Sequence, residues 1–112
     1  MDGFSITSER KEDITIVTVS GRVDSATSKT MDAELEKLIP TDKKVVLNLK
    51  NVEFLSSAGV RAIVKALKTA KKTRGGLKLA SIPDHIAEIL QTLGMMELME
   101  AYPSVEEAIA SF

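Results

Sequence analysis

Two adjacent serines, Ser56 and Ser57, sit in the run Phe54-Leu55-Ser56-Ser57-Ala58-Gly59-Val60, between an apolar strand-like segment and a helical pattern. Loops at the carboxyl ends of parallel strands are where α/β proteins usually place their sites. The first-turn N–H groups of a helix are unpaired, and the helix dipole favours negative charge there. A phosphoryl group on Ser57 would meet those donors and add a charge of about −1.5 to −2. A partner packed on this loop would then meet a dianion that is costly to desolvate. The plainer reading of the same residues is that Ser56 or Ser57 is an N-cap, worth about 1 kcal/mol. Gly59 would then simply allow close packing near the helix start.

Other chemistries lack their parts. His85 is the only histidine, whereas a zinc site draws three or four ligands from Cys, His and carboxylates. It reads as a surface residue of a first helical turn, and no metal is expected. A nucleophilic serine needs a base and an orienting group, and no G-x-S-x-G elbow is present. Walker and Rossmann glycine patterns are also missing, so neither an enzyme nor a cofactor is expected. The chain has no cysteine, which removes disulfides, thiol catalysis and thiolate metal sites.

Composition narrows the class further. Apolar residues make up 44% and charged residues 28%, a balance that suits a folded globular protein and not a disordered one. The formal net charge of −1 lacks the basic excess of a DNA-binding domain. No apolar run approaches the roughly 20 residues that span a bilayer, and Met1 to Glu9 is too polar for a signal peptide. A cytoplasmic chain without membrane insertion is expected, and 112 residues suit a single domain spanning 1–112.

The elements that must position the serines can be read from periodicity. Phe4 to Glu9 alternates as a short strand, and Arg10 to Asp13 suits a turn. Ile14 to Val19 has apolar residues on both faces, as an interior strand does, with Gly21 ending it. Asp24 or Ser25 caps a helix carrying Met31, Leu35 and Leu38, which Pro40 closes. Val45 to Leu49 reads as a buried parallel strand, followed by a loop from Lys50 to Ser56. A second helix runs from about Ala58 to Arg74 on a stripe of Val60, Ile63, Val64 and Leu67, with Gly75-Gly76 supplying a left-handed stop. Leu77 to Ala80 is a further strand. Pro83 suits a helix start, and Ile86, Ile89, Leu90 and Leu93 line that helix up to Gly94. Met95 to Ala101 is ambiguous and includes room for a short edge strand. Ser104 and Glu107 form a capping-box pattern before Val105, Ala108, Ile109 and Phe112.

The expected fold is therefore α/β, a mixed sheet of four to five strands with about four helices. Arg61, Lys65, Lys68 and Lys72 fall on one stripe of the second helix, extended by Lys71 and Arg74, while the first helix is acidic. This is either a solvated surface or a field that orients a protein partner. Met95, Met96, Leu98 and Met99 either fill one end of the core or leave a face for self-association.

In order and spacing, Gly21-Arg22-Val23-Asp24, Val45-Val46-Leu47-Asn48-Leu49, Phe54 to Val60, Gly75-Gly76-Leu77-Lys78-Leu79 and Leu93-Gly94 resemble the STAS domain family. That family includes bacterial anti-sigma factor antagonists and the cytosolic domains of sulfate transporters. The resemblance covers nearly the whole chain. It implies a mixed sheet with helices mainly on one side and a non-enzymatic, free-standing regulator. The unphosphorylated form would bind an anti-sigma factor that is itself a serine kinase, releasing a sigma factor. Phosphorylation would end binding, and a PP2C-type phosphatase would restore it. The family motif Asp-Ser-Ser/Thr-Gly maps its acceptor onto Ser57 and its glycine onto Gly59. Ser56 stands where the aspartate is expected, as a competing acceptor, and Ala58 where the second hydroxyl is expected. Asp24, Ser56, Ala58, Gly59, Val60 and Arg61 are then the expected surround of the site. The alternative is a non-phosphorylated scaffold or sensor module in a signalling complex.

Overall fold

The alternation at the start of the chain becomes a hairpin. In the computed structural model, which describes residues 3–112, β1 (Ser5–Lys11) pairs antiparallel with β2 (Ile14–Val23). Arg10 and Lys11, expected in the turn, instead pair with Thr15 and Ile14, and Glu12 turns the chain at a positive φ of 60°. Three further strands lie parallel to β2: β3 (Lys44–Leu55), β4 (Gly76–Ala80) and β5 (Ala101–Tyr102). The sheet order is β1-β2-β3-β4-β5. Parallel neighbours need crossovers, usually helical, and α1 (Thr27–Leu38), α2 (Ser57–Lys72) and α3 (Asp84–Thr92) supply them. A 3-10 turn at Met96–Leu98 leads into β5, and α4 (Val105–Ala110) follows.

The period-2 alternation of the strands divides the core. Val17, Val19, Val45, Leu47, Leu49 and Leu79 pack with Met31, Leu35, Ile63, Ala66, Ile86 and Leu90 of α1, α2 and α3. Ile14, Ile16, Val46 and Ala80 point to the other face, under Ala108 of α4 with Val105, Ile109 and Phe112 around it. The expected mixed sheet thus has five strands, with helices mainly on one face. Lys78 ties down the end of α4. Its Nζ donates to the Ser111 carbonyl at 3.1 Å, pairs with Glu100 at 3.0 Å and lies 4.7 Å from the Phe112 ring centroid.

Several boundaries differ from the sequence expectation. Gly21 does not end β2; it lies inside the strand at φ 90°, where a Cβ would sit 1.9 Å from the Gly3 carbonyl oxygen. The segment expected as a loop, Lys50 to Ser56, is strand as far as Leu55. It pairs with the end of β2 through register shifts between Thr18 and Ser20 and between Gly21 and Arg22. Such bulges absorb extra residues in one strand and bend it. Periodicity breaks at each shift, so the alternation is invisible in sequence.

The second helix also differs at both ends. It spans Ser57 to Lys72 rather than Ala58 to Arg74, and Arg74, not Gly75 or Gly76, takes the left-handed φ of 62°. Gly75 is needed for a different reason, since a Cβ there would lie 2.7 Å from the Lys43 carbonyl oxygen. Past α3, Met99 is buried and Met95 and Met96 pack on the core, while Leu98 is 57% exposed. The methionines fill one end of the core, and Leu98 is left at the surface.

Candidate functional site

The site forms where β2 and β3 end side by side. The Ser56 amide donates to the Val23 carbonyl at 2.8 Å, which continues the pairing of the two strands by one step. Ser56 keeps extended geometry, φ −79° and ψ 168°, and its Oγ accepts from the Gly59 amide at 3.2 Å. It is therefore the N-cap of α2, satisfying one of the unpaired first-turn donors. Ser57 is the first residue of the helix and is exposed. Its hydroxyl makes no hydrogen bond to the described residues. The two serines, interchangeable as caps in sequence, thus have different surroundings. One hydroxyl is half-buried and engaged, and the other is presented to solvent.

The remaining surround residues divide between core and surface. Gly59 is buried, and a Cβ there would lie 2.7 Å from Leu55 Cδ1 and 2.8 Å from Val23 Cγ1. Val60 is buried in the main core. Both support the loop from beneath and do not line the surface. Ala58 is half-buried and Arg61 is exposed.

Asp24 follows β2 directly, beside the Val23 carbonyl that holds Ser56. Its Oδ1 accepts from the backbone amides of Thr27 at 2.9 Å and Ala26 at 3.0 Å, and from the Thr27 hydroxyl at 3.1 Å. Asp24, rather than Ser25, thus satisfies the start of α1. The Thr27 amide and then its hydroxyl hold the Asp24 carboxyl below its ordinary 3.8. A depressed carboxyl pKa adds stability above the unfolded value, and that stability is lost as pH falls through the folded pKa. Urea unfolding should therefore show Asp24→Asn less stable than wild type near neutral pH, with the gap closing below the ordinary value of 3.8. A gap that persists in acid would mean that the charge at Asp24 is not what stabilises this turn.

Two shallow depressions flank the loop. One, of about 340 Å³, is lined by Ser57, Glu88, Ile89, Thr92 and Leu93. Leu93 is 46% exposed, not on the core side where its spacing had placed it. The other depression, of about 300 Å³, runs between α1 and α2 and includes Lys29, Ala58, Arg61 and Lys65. Lys65 Nζ already pairs with Glu36 at 2.9 Å and Asp32 at 3.3 Å, so part of the basic stripe is answered by the acidic face of α1. His85 is exposed, and its Nε2 donates to the Glu53 carbonyl at 2.9 Å, joining α3 to the end of β3.

Sequence reasoning missed the α3 side of the site. Its signal was an apolar set, Ile86, Ile89, Leu90 and Leu93, wider than a short helix buries. Only Ile86 and Leu90 of that set are fully buried.

Comparison with known proteins agrees with this architecture. Residues 5–108 match the STAS domain. BtrV of Bordetella bronchiseptica, provisionally named an anti-sigma factor antagonist, is 28% identical over 110 residues, covering 97% of this chain and 95% of its own. The crystal structure of an anti-sigma factor antagonist from Mycobacterium paratuberculosis superposes with a TM-score of 0.87 at 20% identity, covering 98% of this chain and 94% of its own. The antagonist SpoIIAA superposes in its unphosphorylated form at a TM-score of 0.79, with 17% identity and coverage of 97% and 95%. Its phosphorylated form, from Bacillus, gives 0.73 at 17% identity, with coverage of 97% and 98%. Among the described residues no helix is long and apolar enough to cross a membrane. The match over nearly the full length, together with the sheet order, shows that this chain belongs to the STAS domain family.

Proposed function

We propose that this chain is a phospho-regulated protein-binding switch of the cytoplasm. Its unphosphorylated form binds an anti-sigma factor that is a serine kinase, and phosphorylation of Ser57 ends that binding. The carrying observation is the exposed Ser57 hydroxyl at the head of α2, set beside the apolar rim of Ile89 and Leu93. A partner seated on that rim would cover Ser57. Support also comes from SpoIIAA, whose fold this chain shares and which has been solved both unphosphorylated and phosphorylated. A PP2C-type phosphatase completes the cycle by hydrolysing an exposed phosphoserine.

The test is phosphosite mapping after incubation with the co-purified kinase and ATP. Wild type should gain one phosphoryl group, Ser57→Ala none. Ser56→Ala should keep its acceptor while losing about 1 kcal/mol of stability with its cap. Label retained in Ser57→Ala would move the acceptor elsewhere. No label on wild type, with a stable complex nonetheless, would favour a non-phosphorylated scaffold.

A further inference from the structure

Ser57 lies between two surfaces of opposite charge. Toward α3, the Glu88 carboxylate shares its depression with Ile89, Thr92 and Leu93. Toward α1, the neighbouring groove carries Lys29, Arg61 and Lys65, with Asp32 the one acid among its lining residues. Lys65 is already paired with Asp32 and Glu36, whereas Arg61 is exposed and joins no ion pair among the described residues. Arg61 stands four residues after Ser57 in α2, so the two side chains lie one above the other on the same helix face. Long helical side chains lean toward the N-terminus, which puts Ser57 in the direction that the Arg61 side chain favours. An acid followed four residues later by a base is the favoured order for a helical pair. The guanidinium fork also matches the geometry of phosphate oxygens. The Gly59 amide, a first-turn donor suited to a phosphate, is taken by Ser56 Oγ.

We infer that a phosphoryl group on Ser57 turns away from Glu88 and is clamped by Arg61 beside the α1–α2 groove. The inference rests on the reading of Ser57 as the phosphoacceptor and extends it. Modification then changes the surface twice. It adds an anion, and it occupies a cation that the unmodified protein offers to a partner.

The chain with phosphoserine encoded at position 57, made without any kinase, can be titrated by ³¹P NMR. An adjacent cation favours the dianion. The second phosphate ionisation should therefore fall about half a pH unit lower in wild type than in Arg61→Gln, with Arg61→Lys recovering part of the shift. Lys29→Gln and Lys68→Gln, which also remove one positive charge each, should move it much less. An unchanged midpoint in Arg61→Gln overturns the clamp, as does an equal change in either lysine variant. All three positions are exposed, so folding is not at stake. Because the phosphoserine is encoded, failure of a kinase to modify Ser57 would sink the proposed function and leave this measurement standing.

Discussion

Ser57→Glu is expected to weaken binding of the proposed kinase-type partner by roughly 30-fold or more, which corresponds to about 2 kcal/mol. The wild-type hydroxyl is small and neutral, and it lies next to Ile89 and the 46% exposed Leu93. A partner covering that rim must strip water from whatever stands at position 57. For a hydroxyl that cost is modest. For a carboxylate it is large unless the partner supplies a matching charge. Glu88 on the same rim adds repulsion. Ser57→Gln, matching glutamate in size but neutral, should bind within a few-fold of wild type. The pair of variants therefore separates charge from bulk. Equal affinities of Ser57→Glu and wild type, measured by calorimetry, would place the docking surface elsewhere on the molecule.

Gly59→Ala is expected to lower stability by about 1–3 kcal/mol, and Gly59→Val by more. The added Cβ would come within 2.7 Å of Leu55 Cδ1 and 2.8 Å of Val23 Cγ1. Both neighbours are fully enclosed in the core, at 3% and 0% exposure, so neither can swing away. The head of α2 must lift from the ends of β2 and β3. That shift would also strain the Ser56 cap, which bonds the Gly59 amide itself. For a chain of this size the melting temperature should fall by roughly 5–15 °C. The loss of stability should be accompanied by slower phosphorylation, because the same displacement moves Ser57. A Gly59→Ala protein that melts with wild type would show that the loop has room this geometry denies it.

Much of the fold was legible because the sequence carries strong local signals. Val45 to Leu49 is too apolar to be anything but a buried strand, and Ser104 with Glu107 forms the cap that it spells, the Glu107 amide donating to Ser104 Oγ at 3.1 Å. Of the α2 stripe, Val60 and Ile63 are buried in the core, and Val64 and Leu67 pack against it partly buried, as a period of 3.6 requires. Errors fall where local pattern and tertiary context diverge. Bulges in β3 break the alternation over Lys50 to Leu55, so a strand read as a loop. Gly21 and Gly75 serve close backbone approaches, which sequence cannot distinguish from turns.

The same boundary runs through the site. That two serines stand at the head of a helix, one as its cap, follows from residue types alone. Which serine is which depends on the hydrogen bond from Ser56 to the Val23 carbonyl, and β2 and β3 are brought together only by the sheet. That pairing holds Ser56 extended and turns its hydroxyl to Gly59, which leaves Ser57 facing solvent. The partners flanking Ser57 are equally non-local. Glu88 and Leu93 come from a helix about thirty residues onward, and Lys29 from one as far back. Sequence determined that this loop can receive an anion, because unpaired amides and a dipole belong to any helix start. Only the folded chain decided which hydroxyl is offered and which charges surround it, because those depend on contacts between segments that sequence separates.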